Sequence, residues 1–208
     1  HALMAELESL IDQLESSESL NGVGLLSGKP GGFIYGADIN EFETLKTAND
    51  VADHMRYVHS LFNRIEALPV PSCVGVDGIA VGGGLEIALV FDRLFVTSSH
   101  KTKLGFPEVN LGIMPGYGGT GRAYCRIGAK ALLDMMVSGR PLGSQDAIKT
   151  GLAEVKFHHN PDSTHGFCGA ALSSNVIHWW KNDAGKWQWE KIIDIDNEPH
   201  PDWPIPIP

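Results

Sequence analysis

All five tryptophans of this 208-residue chain (Trp179, Trp180, Trp187, Trp189 and Trp203) fall in its last 30 residues, with five of its twelve prolines. Five of the nine histidines follow residue 157. A single hydrophobic core rarely recruits its large aromatics so unevenly. The crowding therefore predicts two parts, 1–156 and 157–208, with a boundary near Lys156. Neither part contains an internal repeat, and the closing PDWPIPIP (201–208) reads as an extended tail.

Before the boundary, strand and helix patterns alternate. Leu3, Leu7, Leu10, Ile11 and Leu14 recur at helical spacing over 2–16, and VGLLSG (23–28) reads as a buried strand. Asp50 is expected to cap a helix reaching about Leu68, with Val51, Met55, Val58, Leu61, Phe62 and Ile65 on one face. SCVGVDG (72–78) reads as a strand, GGGLEIALVFD (82–92) as a glycine turn opening a helix, and LFVTS (94–98) as another strand. Helices near 129–137 and 144–150 complete an α/β pattern with helices packed on sheets. After the boundary, GAALSSNVIHWW (169–180) and KWQWEKIIDI (186–195) flank the turn-former NDAG, which predicts one β-hairpin.

Composition removes several classes of function. With 43% apolar and 20% charged residues the chain is an ordinary globular sequence. No run approaches the roughly 18 apolar residues of a membrane helix, and the N-terminus lacks the basic head and apolar stretch of a signal peptide. A net charge of −9 disfavours nucleic acid as a partner. The charge is uneven: residues 1–55 carry ten acids and two bases, and 101–156 carry eight bases and four acids. A basic middle suits an anionic small molecule, or is simply a solvated mixed face. Cys73, Cys125 and Cys168 lie far apart with no CxxC, so reduced thiols in a cytoplasmic protein are expected.

Three features carry chemistry: GADI (36–39), GGGLE (82–86), and GFPE (105–108) followed by LGIMPGYGG. Glycines at 82–84 let backbone amides face a ligand without a Cβ in the way, at a helix start that favours negative charge. If the loop at Ala37 adds a second N–H, the two form an oxyanion hole. Glu86 and Glu108 are then a candidate base and acid sharing one water, provided their environments separate their pKa values. Alone, a GGG is a tight turn and a glutamate in a first helical turn is ordinary dipole chemistry; in this order the set is far more specific.

FIYGADINEF (33–42), FNRIEALPVPSCVGVDGIAVGGGLEIAL (62–89), LGFPEVNLGIMPGYGGTGR (104–122) and ALLDMMVSGRPLGSQDAIKTGLAEV (131–155) together resemble the crotonase (enoyl-CoA hydratase/isomerase) superfamily, within it the hydratase part of multifunctional fatty-acid oxidation enzymes. The resemblance implies a crotonase-like spiral of ββα units binding an acyl-CoA thioester, with an oxyanion hole at the N–H groups of Ala37 and Gly83. It implies that Glu86 activates water for attack at C3 and Glu108 delivers the proton to C2, so that a 2-enoyl-CoA is hydrated; isomerase activity stays open. Phe33, Ile34, Asp38, Ile39, Gly84, Pro107 and Gly116 are the implied substrate-binding positions, with a plain core role the alternative for each of Phe33, Ile34 and Ile39. Coenzyme A belongs to the substrate, and no metal or other cofactor is implied.

Family members begin with a strand pair before the first helix and end with helices over the acyl pocket, so the spiral is expected to be truncated at both ends. Edge strands left open by that truncation predict a homo-oligomer or a compensating arrangement of the C-terminal tail. Around SSHKTK (98–103) the chain is longer than the family pattern, and a surface turn is expected. Residues 157–195 resemble instead a piece of the selenium-binding protein/methanethiol oxidase family, a β-propeller whose blades need neighbours. His158 and His159 invite a metal reading that their adjacency in a strand opposes. Gly116, Gly118 and Gly121 formally match a dinucleotide fingerprint, but no clear strand precedes them and no suitably placed acid follows. GKPGG (28–32) lacks the ending of an ATP loop. A non-catalytic acyl-CoA-binding or assembly protein on the same scaffold is the alternative to a hydratase.

Overall fold

The structure, a computed structural model, describes residues 2–27, 29, 32–38, 44–154, 156–157, 165–169, 175–181 and 187–193. Its logic is a repeated unit that gives one strand to each of two sheets and then a helix. The first unit contains β1 (Val23–Leu26), a parallel bridge from Ile34 to Ala80, and α2 (Ala48–Glu66), which follows the N-terminal α1 (Ala2–Glu15). The second unit is β2 (Ser72–Val76), β3 (Ile79–Val81) and the short α3 (Gly83–Ala88). The third is β4 (Arg93–Thr97), β5 (Lys103–Gly105), a 3₁₀ turn at Pro107–Leu111, and α4 (Gly119–Ser138). β6 (Leu142–Gly143), α5 (Ser144–Thr150) and β7 (Lys156–Phe157) follow.

The first strands of the units pair in parallel in the order β1-β2-β4-β7. Val74, Val76, Leu94 and Val96 are fully buried there, as expected of a parallel sheet covered on both faces. The second strands form the smaller sheet β3-β5-β6, in which β3 and β5 are parallel and β6 runs antiparallel. With the Ile34 bridge, three neighbouring parallel strands thus end on one edge, and those ends are where an α/β fold places its chemistry.

The anticipated face of α2 forms the core contact: Val58, Leu61, Phe62 and Ile65 are buried, each such side chain stabilising the fold by about 1.5–3 kcal/mol, whereas Val51 is exposed. The cap is Thr47 rather than Asp50. Thr47 accepts from the Asp50 N–H, and Asp50 reaches back to the Thr47 N–H as the third residue of a capping box. α1 seats Ile11 in the core and ties to α2 through Arg64, which pairs with Asp12 and Glu15.

The structure differs from the sequence reading in four places. The helix at the glycine triplet stops at Ala88 rather than Asp92. α4 begins at Gly119, ten residues before the expected start, because its glycines hide a first half that Ala123 anchors in the core; Gly128, at φ 72, then kinks it. β3, β5 and β6 are too short, at three, three and two residues, to leave a readable period. The turn expected at 98–103 ends early: Thr102 is fully buried, its Oγ1 accepts from the Gly78 N–H, and Lys103 opens β5.

Beyond the boundary, β9 (Asn175–Lys181) and β10 (Trp187–Ile193) form the expected antiparallel hairpin, to which β8 (His165–Gly169) adds an unanticipated third strand. The NDAG turn, the tail, His158 and His159 lie outside the described residues.

Candidate active site

The three strand ends converge. After the Ile34 bridge the chain reaches Ala37; after β3 it reaches Gly82–Glu86; after β5 it reaches Phe106–Glu108. The Gly82 N–H donates to Gly105 O at 3.0 Å and the Val81 N–H to Ile34 O at 3.2 Å, so the middle strand end is tied to both neighbours.

Glycine makes the approach possible. Gly82 has φ 55 and ψ −130, a conformation open to glycine. A Cβ on Gly84 would stand 2.0 Å from Ile34 O, so only glycine lets the first turn of α3 rest directly on that carbonyl. The contact brings Gly83 beside the first loop: a Cβ on Gly83 would lie 3.5 Å from Ala37 N. The predicted oxyanion positions, Ala37 and Gly83, are therefore neighbours, and Gly83 opens a helix too short for its dipole to dominate.

Glu86 is 2% exposed, and its Oε1 accepts from the Tyr117 N–H at 2.7 Å and the Gly119 N–H at 2.9 Å. Burial pushes its carboxyl above the usual range, and the two amides oppose that rise. Gly119 is the space Glu86 occupies: a Cβ there would meet Glu86 Cγ at 2.5 Å. The tyrosine itself is buried. Its hydroxyl shares a 2.9 Å hydrogen bond with His54, and its ring stands edge-on to Phe62.

Glu108, 8% exposed, sits in the 3₁₀ turn behind Pro107 and lies against Gly82, where a Cβ would be 3.0 Å from its Oε1. Its Oε2 has no hydrogen-bond partner among the described residues. Burial, with the Glu86 charge adding to it, pushes the carboxyl up to about 7. Burial raises both carboxyls on this strand-end edge, but they differ in kind: Glu86 is gripped by two amides that oppose the rise, whereas Glu108 is poised to hold a proton near neutrality.

The raised Glu108 value has a consequence for stability. From pH 4.5 up to about 7 the folded chain retains a proton that the unfolded chain releases, so stability falls as pH rises through that window. The full loss is about 3 kcal/mol. Glu108→Gln is expected to gain that much relative to the parent between pH 5 and pH 8 in urea titrations, and a pH-independent difference would refute the assignment.

Among the other predicted positions, Phe33 is 1% exposed and packs into the core, leaving no side-chain surface for a ligand. Ile34 is half-buried against the core and contributes its carbonyl to Val81. Asp38 and Gly116 are exposed, Pro107 is half-buried, Gly84 is buried, and Ile39 lies outside the described residues. The dinucleotide alternative fails locally: residues 113–116 form no strand, and the Gly119 N–H is already taken by Glu86. No sequence signal singles out Tyr117 and Gly119 as carboxylate holders, since a main-chain donor leaves no residue-type signature. No group of three or more potential metal ligands occurs among the described residues, and no described helix is long and apolar enough to cross a membrane.

The family described as enoyl-CoA hydratase/isomerase matches residues 1–158, and that of the 56 kDa selenium binding protein matches residues 138–208. The fatty acid oxidation complex subunit alpha of Idiomarina loihiensis is 43% identical over 147 residues, 71% of this chain and 21% of that protein. The chain thus spans about a fifth of the length of such curated relatives. A crystal structure of enoyl-CoA hydratase from Bacillus anthracis superposes with a TM-score of 0.68 at 30% identity, covering 74% of this chain and 59% of that one. Pseudomonas aeruginosa DspI gives the same TM-score at 24% identity, over 74% of this chain and 57% of its own, a likeness of fold alone.

Proposed function

The chain belongs to the enoyl-CoA hydratase/isomerase family, and from that premise we propose that residues 1–156 hydrate a 2-trans-enoyl-CoA to the 3-hydroxyacyl-CoA, as fatty-acid β-oxidation requires. The convergence of Ala37, Gly83, Glu86 and Glu108 at three adjacent strand ends is the observation that carries the reading. The thioester oxygen accepts from the Ala37 and Gly83 amides, which stabilise the negative charge that develops there. Glu86, held by two N–H groups, takes a proton from water as the water oxygen bonds to C3. The C2=C3 electrons move toward the carbonyl to give an enolate, and Glu108 delivers its proton to C2. A carboxyl near 7 suits that donor role at neutral pH. Proton exchange with solvent resets the pair.

In this reading coenzyme A enters as part of the substrate, no separate cofactor is required, and the protein works in the cytoplasm. Exposed Leu133 and Val137 on α4, at 57% and 73%, support a homo-oligomer. The overlap of the two family matches at 138–158 supports a junction near Lys156. Loss of the conjugated enoyl absorbance of crotonyl-CoA tests the proposal. Turnover above the uncatalysed rate is expected, and calorimetric binding of acyl-CoA without turnover would replace the hydratase by a binding protein.

A further inference from the structure

The turn that holds Glu86 is itself gripped from its other side. Two of its N–H groups, those of Tyr117 and Gly119, donate to Glu86, while its carbonyls at 116, 117 and 118 each accept a hydrogen bond. His59 Nε2 donates to Gly116 O at 2.8 Å, Arg122 Nη1 to Tyr117 O at 3.0 Å, and the Arg122 N–H to Gly118 O at 3.2 Å. The rest of the Arg122 guanidinium is also committed. Nε and Nη2 form a two-pronged pair with Glu66 at 2.8 and 2.7 Å, and its carbon stands 5.7 Å over the Phe62 ring. Glu66 and Phe62 both lie on α2, whereas Arg122 lies in the first turn of α4. Arg122 is 15% exposed and its partner Glu66 39%, so the buried end of the pair is the guanidinium.

We propose that Arg122, clamped by Glu66, is a positioning residue that fixes the Glu86 carboxylate through the peptides of residues 116–119. A planar fork that spends all three nitrogens fixes the Tyr117–Gly118 peptide in one orientation, and the peptides on either side, polarised by His59 at Gly116 O and by the Arg122 N–H at Gly118 O, are those whose N–H groups face the carboxylate. Lysine would keep the charge but lose the fork. The charged and titratable groups that act on Glu86 are Glu108 from the 3₁₀ turn, His59 from α2 and Arg122 from α4, while His54 of α2 bonds the Tyr117 hydroxyl behind the turn. Among these, His59 and Arg122 help to hold Glu86 in its charged form.

The kinetic consequence rests on the hydratase reading; the effect on Glu86 does not. Arg122→Met is expected to raise the Glu86 titration midpoint by roughly half to one pH unit, followed by carbon-13 carboxyl resonances assigned with Glu86→Gln. On crotonyl-CoA, kcat should fall about 10- to 100-fold with KM little changed, and the acidic limb of the pH profile should move up. Arg122→Lys should restore part of both. Glu66→Gln keeps Arg122 while loosening the clamp and should give a smaller shift of the same sign, which decides the matter if Arg122→Met fails to fold. A Glu86 midpoint unmoved in the folded variants would overturn the proposal. An inactive parent protein with a shifted midpoint would sink the hydratase reading and leave the clamp standing.

Discussion

Glu108→Gln is expected to slow hydration of a 2-enoyl-CoA by about 100- to 10,000-fold, the range for losing a positioned proton donor. Glutamine keeps the size of the side chain and a polar end against Gly82, but it has no proton to give to C2. KM should therefore stay within a few-fold of the parent, since in the proposed mechanism the amides of Ala37 and Gly83 bind the thioester without Glu108. Glu86→Gln should cost a similar factor, because an amide cannot accept the proton of the attacking water. The double variant should lose little more than either single one, because the two carboxyls act as a unit. Crotonyl-CoA hydration followed by absorbance checks all three, and a Glu108→Gln rate equal to that of the parent would remove Glu108 from the mechanism.

Gly84→Ala is expected to destabilise the fold by at least about 3 kcal/mol. The added carbon would sit 2.0 Å from Ile34 O and 2.7 Å from its carbonyl carbon, both main-chain atoms that cannot rotate aside. Relief requires α3 to lift off the Ile34 strand end, which also parts Gly83 from Ala37. Gly121 is the internal control. It is exposed on α4, nothing lies within 4 Å of its added carbon, and alanine there should stabilise by about 0.5–1 kcal/mol through helix propensity. Urea midpoints of the two variants should move in opposite directions; a neutral Gly84→Ala would contradict the close approach.

Much of this candidate site is legible in the sequence, because its candidate acid and base carry residue-type signals. A glycine triplet followed by Glu86, and a proline followed by Glu108, are patterns that chemistry demands and chance seldom supplies in that order. What escaped was of two kinds. Tyr117 and Gly119 act through their N–H groups, which every residue but proline possesses, so GYGG looked as much like a nucleotide loop as a carboxylate cradle. Arg122 and Glu66 pair across 56 positions of sequence, a contact that no local pattern encodes. Phe33 is a different case: the resemblance sets it on the loop that borders the substrate, a place that a core residue can equally hold, and it is one of the largest fully buried side chains. The helix cap lies at Thr47, three residues before Asp50, because a capping box uses both of its ends and sequence alone does not say which end is outermost.

The three repeated units have a consequence for how the molecule comes to be competent. Ala37, Gly83 and Glu108 belong to separate repeats, and each reaches the others only when its own strand has found its place in the second sheet. Contacts between such distant stretches must wait for loop-closure entropy to be overcome. Any chemistry at that edge is therefore among the last properties the chain acquires, and a protein that catalyses has, by that fact, finished folding.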